Sequence, residues 1–213
     1  GVPAGTVRAL SPDAESLVLI VPGNPGVAQL YAPFIEHLAA RGGGRFSVAV
    51  ASHAGHDPGH RAPDGFYSLA DQHAHHLAFL AQLPAATTVH LVGHSIGAWL
   101  ALGLLDALPA EQRGRALLLF PTIERMAQTP AGQRMSPMFG PLRRPSVLLS
   151  RLIRHLPGRD RLLEQALLSD VAPDERPVLL EGILRLSPES LHNVLQLAGE
   201  ELSTVVELPE TLL

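Results

Sequence analysis

The stretch "HLVGHSIGAWLAL" (residues 90–102) decides how this chain is read. It sets Ser95 between Gly93 and Gly97, in the pattern G-x-S-x-G, with an apolar run on each side. The run before it, "TTVHLVG" (87–93), is short and β-branched, and reads as a buried strand. The run after it, "IGAWLALGLLDALP" (96–109), reads as a helix. It is apolar nearly all round, as suits a helix packed on a sheet and covered on its outer side. A serine on a sharp turn between strand and helix presents its hydroxyl at the sheet's edge. Such a turn leaves no room for side chains at Gly93 and Gly97. The helix N-terminus behind the serine adds partial positive charge for a developing oxyanion. Ser95 is therefore the candidate nucleophile.

Working outward, strand and helix alternate. "SLVLIVPGNPG" (16–26) is an apolar run that ends in Pro and Gly, a strand feeding a tight loop. "YAPFIEHLAARG" (31–42) carries helical spacing and a Gly stop. "RFSVAVASHAGHD" (45–57) predicts a second strand, "SLADQHAHHLAFLAQLP" (68–84) a second helix, and "RALLLFPT" (115–122) a fourth strand. This is the pattern of a four-stranded parallel sheet with helices on both faces. Beyond Thr122 the pattern changes to helical, Arg-rich, Pro-punctuated pieces. Two parts are expected: a core over residues 1–122 and a helical cap or insertion over 123–213.

An acyl-transfer site also needs two backbone N–H donors. One is expected from Ile96, the residue after the serine. The other is expected from the loop "VPGNPG" (21–26). Pro25 has no N–H, so the donor there should be Asn24, with Gly23 allowing close approach.

The segments "VPGNPG", "SHAGH" (52–56), "GHSIG" (93–97) and "LLLFPTIERM" (117–126) occur in this order and spacing in the lipid droplet-associated hydrolases. "DQHAHHLAFL" (71–80) is similar to that family's segment before the nucleophile strand. The chain resembles that α/β-hydrolase family from about Leu17 to Ser136. The resemblance implies a serine hydrolase fold, lipid ester substrates, no cofactor, and residence on the cytosolic face of droplets or the endoplasmic reticulum. It also implies that His53 and His56, inside "SHAGH", organise the active-site rim.

The rest of a catalytic triad is harder to find. The order in these folds is Ser, then Asp or Glu, then His. Only His155 and His192 follow Ser95. In the family that this chain resembles, acid and base follow two further strands, and no such pattern occurs after "ESLHNVLQLAGEELSTVVELPETLL" (189–213). The expectation is a fragment or short form that lacks the final strands and the family's acid and base. An internal triad of Asp170 or Asp174 with His192 is the alternative. His94 adjoins Ser95 but is expected to turn away and hold a backbone carbonyl.

Composition narrows the remaining classes. With no Cys, disulfides, thiolate chemistry and Cys-based metal sites are excluded. A metal reading of His53, His56 and His60 with Asp57 and Asp64 meets no strict ligand spacing, so no metal is expected. His73, His75 and His76 are read as solvated or packed helix residues. No apolar run reaches the length of a membrane-spanning helix. All sixteen basic residues are Arg. Eight lie between Arg125 and Arg161, and the acids concentrate after Leu162. A basic middle suggests an anionic partner. Nucleic acid is not expected, because aromatic interleaving and zinc-finger spacing are both absent. "GPLRRPSVLLSRLIRHLPGRDRLLEQALL" (140–168) is amphipathic, with Val147, Leu148, Leu149, Leu152, Ile153 and Leu156 flanked by Arg. Such a segment suits a phospholipid surface, apolar side down, or a lid over the site. The sequence thus predicts a serine hydrolase of lipid carboxylic esters at a droplet surface. The alternative is a lipid-surface binder of the same family that lacks the base. Acyl transfer or thioester cleavage on the same fold is a third possibility.

Overall fold

The computed structural model describes residues 5–57, 66–84, 87–169 and 171–207. Its sheet has the order β1-β3-β2-β4-β5. The strands are β1 (Thr6–Ala9), β2 (Ser16–Val21), β3 (Ser47–Ala51), β4 (Thr88–His94) and β5 (Arg113–Leu119). Four are parallel, as the alternation predicts. The fifth, β1, was not expected: it pairs antiparallel with β3, Thr6 opposite Ala51. Four residues, partly exposed and with Arg8 among them, carry no apolar signature, and only pairing with β3 makes them a strand.

The central strands are apolar at successive positions because both faces are covered. Leu17, Leu19 and Val21 of β2 point into one layer, with Leu91 of β4. There they meet α2 (Leu69–Leu80) through Phe79 and α3 (Ile96–Ala107) through Leu100 and Leu104. Ile20 of β2, Val48 and Val50 of β3 and Val92 of β4 point the other way, onto Ile35 of α1 (Ala32–Gly42). Turning this alternation by one residue would exchange the two layers, so register and core define each other. Local signals fix the helix ends. Ser68 and Asp71 form a reciprocal capping box at α2: the Asp71 N–H donates to Ser68 Oγ at 3.1 Å and the Ser68 N–H to Asp71 Oδ2 at 2.8 Å. α1 stops at Gly43, whose φ of +57° is the left-handed C-cap.

After β5 the described residues form helices: α4 (Pro130–Phe139), α5 (Arg143–Ile153), α6 (Arg159–Leu167), α7 (Arg176–Arg185) and α8 (Pro188–Thr204). α8 is tied to the α/β layers. Leu197, together with Val205 just beyond the helix, is buried in the same layer as α2 and α3. Its Asn193 and Glu200 accept from the backbone N–H groups of Tyr67 and Leu69. Among the described residues no helix is long and apolar enough to cross a membrane.

Candidate active site

β4 and α3 meet at Ser95, whose φ of 53° and ψ of −123° lie outside the regions L-residues ordinarily occupy. Strain of this kind persists only where the surroundings enforce it. They do so here. The Ser95 N–H donates to the Leu119 carbonyl at 3.1 Å. Its own carbonyl accepts from Thr122 at 3.1 Å and from Ala98 at 2.9 Å. A Cβ on Gly97 would lie 2.1 Å from the Val21 carbonyl oxygen, and one on Gly93 would lie 2.5 Å from Ala98 Cα. Both glycines are therefore the condition for the turn packing against β2 and α3.

The loop after β2 runs beside the serine. A Cβ on Gly23 would sit 3.1 Å from Ser95 Cβ and 2.9 Å from His94 Nδ1. Asn24 follows Gly23, and its peptide bond to Pro25 is cis. The Asn24 side chain donates to the Val194 carbonyl of α8 at 2.8 Å. The backbone N–H groups of Asn24 and Ile96 bond to no acceptor among the described residues.

His53 and His56, expected at the rim, lie underneath it. Both are fully buried. The Gly26 N–H donates to His56 Nδ1 at 2.9 Å, and the His53 N–H donates to the Gly26 carbonyl at 2.8 Å. A Cβ on Gly26 would fall 2.3 Å from the His53 ring, so the loop rests on that imidazole. His53 Nδ1 is 3.1 Å from Nε2 of the equally buried His76. Burial pushes His53 and His76 well below the ordinary histidine range, and His56 to about 3. They act as neutral wedges under the loop. His76 is thus packed, while His75 reaches the Ser52 carbonyl at 3.1 Å. His60 and Asp64 lie outside the described residues. Among the described residues no three His, Asp or Glu side chains come together in a way that could hold a metal ion.

His94 does turn from the serine, but toward a side chain and not a carbonyl. Its Nδ1 is 2.8 Å from the Tyr31 hydroxyl, which accepts from the Gly23 N–H at 2.8 Å. Tyr31 thereby links the loop to the strand end, a role its place at the start of a predicted helix did not signal. Ser95 Oγ itself is bonded to Thr122 Oγ1, 3.2 Å away. Among the described residues no imidazole bonds to Ser95 Oγ. His192 is half-buried on α8, and burial, helped by the nearby Arg143 and Arg144, lowers its pKa. Asp174 is exposed, Asp170 lies outside the described residues, and His155 is exposed on the turn after α5.

Some apolar residues of the helical segment line a cavity and others do not. Leu149 and Ile153 of α5, with Leu163 of α6 and Leu195 of α8, line an apolar cavity of about 310 Å³. Leu148, Leu152 and Leu156 are exposed on the outer face, off the cavity, and Leu149 at the cavity is itself 54% exposed. Arg144 and Arg151 share that outer face at helical spacing. Some of the Arg charge is met internally: Arg151 pairs with Glu189 at 3.4 Å, Arg143 bonds to Gln196, and Arg154 to the Leu186 carbonyl at 3.1 Å.

A largely parallel sheet flanked by helices, with a serine on the strained turn between strand and helix, defines an α/β-hydrolase fold. Solved structures agree. MenH from S. aureus superposes with a TM-score of 0.64 at 13% identity, over 97% of this chain and 73% of its own. An esterase from Exiguobacterium antarcticum gives 0.64 at 14% identity, over 94% and 71%. At such identities the likeness is one of fold. The particular family follows from sequence: the model of the lipid-droplet associated hydrolases matches residues 14–213, and the chain belongs to that family. The lipid droplet-associated hydrolase of Gallus gallus is 32% identical over 208 residues, covering 92% of this chain and 64% of the chicken protein. That of Homo sapiens is 38% identical over 137 residues, covering 57% of this chain and 42% of the human protein. The chain thus spans less than two thirds of the length of these relatives.

Proposed function

We propose that this chain carries the nucleophile and oxyanion hole of a serine hydrolase acting on carboxylic esters of lipids. The observation that supports this most is the enforced turn at Ser95, next to the unbonded N–H groups of Asn24 and Ile96. In this reading Ser95 Oγ attacks the ester carbonyl carbon. Negative charge gathers on the carbonyl oxygen and is held by the two amides and the N-terminus of α3. Collapse expels the alcohol, which takes a proton, and leaves an acyl-serine that water then hydrolyses. Efficient turnover needs an imidazole base, and the relatives extend over length that this chain does not span. We place the base and its orienting acid there. The apolar cavity under α5 suits an acyl chain, with the helices after Thr122 as a cap. The Leu and Arg residues on the outer face of α5 suit the phospholipid surface of a droplet or the endoplasmic reticulum, on its cytosolic side.

The contact of Ser95 Oγ with a threonine, where a base would sit, favours a second reading: a lipid-surface binder without turnover. Fluorophosphonate labelling of the purified chain separates the two. Labelling that survives His192→Ala and is lost in Ser95→Ala supports an activated serine. A chain that never labels, yet floats with phospholipid-coated triacylglycerol droplets, supports the binder.

A further inference from the structure

Glu201 is a carboxylic acid that the chemistry above does not use, and its position is hard to explain as packing. It lies on the last turns of α8 and is only 2% exposed. Its Oε1 is buried without a partner among the described residues. An isolated buried carboxyl is costly unless a bonded neighbour compensates for lost water. The Thr122 hydroxyl lies close enough to this carboxyl to oppose the rise in its pKa. Thr122 Oγ1 is in turn 3.2 Å from Ser95 Oγ, and the Thr122 N–H holds the Ser95 carbonyl. The hydroxyl bonded to the nucleophile therefore also lies beside a buried acid.

We propose that Glu201 is a positioning residue for the nucleophile: through Thr122, its ionisation state sets which way the hydroxyl proton of Ser95 points. The inference rests on the reading of Ser95 as nucleophile. An ionised carboxylate can only accept. Thr122 must then donate to Glu201, and its oxygen is left to accept the Ser95 proton. Ser95 keeps its lone pairs for attack. A neutral Glu201 has a proton of its own to give, which frees Thr122 to donate to Ser95 Oγ and occupy a lone pair. Burial raises the Glu201 pKa to about 7, with the Thr122 hydroxyl opposing the shift, so both states are reached near neutrality. The charged side chains that meet α8 from packed elements do so elsewhere. From α5, Arg143 reaches Gln196 and Arg151 reaches Glu189. Glu200 accepts from Leu69 at the start of α2 and from Gln196. Before α4, Arg125 bonds through its backbone N–H to the Val206 carbonyl.

The test is the pH dependence of fluorophosphonate labelling of the full chain. The wild-type rate is expected to rise roughly tenfold through a midpoint near 7, with the rise lost in Glu201→Gln and Thr122→Val and kept in Thr122→Ser. An unchanged midpoint and amplitude in both folded variants, checked by circular dichroism, overturns the proposal. The Glu201 carboxyl band, assigned by infrared difference against Glu201→Gln, supplies a second readout. Its titration midpoint is expected to move in Thr122→Val and Ser95→Ala, a coupling that plain packing would not produce. A midpoint that stays put in both also overturns it. If the wild type never labels while the carboxyl midpoint still moves, the hydrolase reading fails and the Ser95–Thr122–Glu201 chain stands.

Discussion

At the scale of single residues, two glycines near Ser95 do different work, and substitution separates them. A methyl on Gly97 would meet backbone oxygens, 2.1 Å from Val21 and 2.4 Å from Pro22. Neither can move without breaking the end of β2. Gly97→Ala is expected to destabilise the whole fold by about 1–3 kcal/mol, read as a lower denaturant midpoint. A methyl on Gly23 would press on His94 Nδ1 at 2.9 Å and Ser95 Cβ at 3.1 Å. The loop has more room to give, and the displaced group is the neighbouring Asn24 amide. Gly23→Ala is expected to cut fluorophosphonate labelling at least about tenfold while the melting temperature changes little. Equal losses of stability in both variants would contradict this division. The sequence makes both glycines visible, Gly97 by its fixed offset from the serine and Gly23 by its place in the loop after the first predicted strand. It gives no sign of Tyr31, Thr122 or Glu201. Their roles depend on β5 and α8 folding back beside β4, which no local pattern encodes.

At the scale of elements, the turn after β3 is a platform for the loop after β2, and its stability follows from three neutral imidazoles. His53, His56 and His76 are held below the ordinary value of 6.5 because charging any of them would place an unsolvated cation in the interior. Below 6.5 the unfolded chain takes up three protons that the folded one refuses, so stability is full above that pH and is lost as pH falls toward the folded values. Each group contributes up to about 1.4 kcal/mol per pH unit. Glu201 has the opposite sign. Its folded pKa is raised, so its contribution is complete below 4.5 and lost as pH rises through about 7. The net expectation is a steep loss of stability on acidification below 6.5, measured by urea unfolding at stepped pH. His56→Gln should lower the steepness by about one proton. A flat profile would mean that the cluster hydrates without unfolding. Strands β2, β3 and β4 were legible because both faces are buried and their apolar runs are continuous. β1 was not, since an edge strand of four partly exposed residues looks like a loop until its partner is present. In α5 the sequence shows the Leu residues as one cluster, yet Ile153 and the exposed Leu149 line the cavity while Leu148 and Leu152 do not. Replacing Leu148 and Leu152 with Ser is therefore expected to reduce flotation with phospholipid-coated droplets by roughly fivefold or more, with labelling of Ser95 retained.

At the scale of the molecule, the sheet is asymmetric. One edge is closed by the antiparallel β1, with Arg8 exposed on it. Charge on an edge strand opposes pairing with other chains. The opposite edge is β5, which pairs only with β4 among the described residues. Its Leu117 is 57% exposed, and Phe120 just beyond it is 86% exposed with a left-handed φ of 46°. An unpaired edge with apolar side chains beside it is a template for strand addition. The net charge of −4 opposes association only weakly. The isolated chain is therefore expected to self-associate at micromolar concentration and to melt irreversibly. Sedimentation velocity should show oligomers whose fraction falls in Leu117→Lys and in Phe120→Lys, since either substitution puts a charge where the added strand would lie. The site offers an internal control. Phe120 lies edge-on to His94 with ring centroids 6.4 Å apart, so its replacement also touches the ring that Tyr31 holds. Leu117 sits further back on β5, opposite Val92. If exposure of the edge drives association, both variants become monomeric and only Phe120→Lys alters labelling of Ser95. A wild-type chain that stays monomeric and melts reversibly would show that this edge is protected without any added strand.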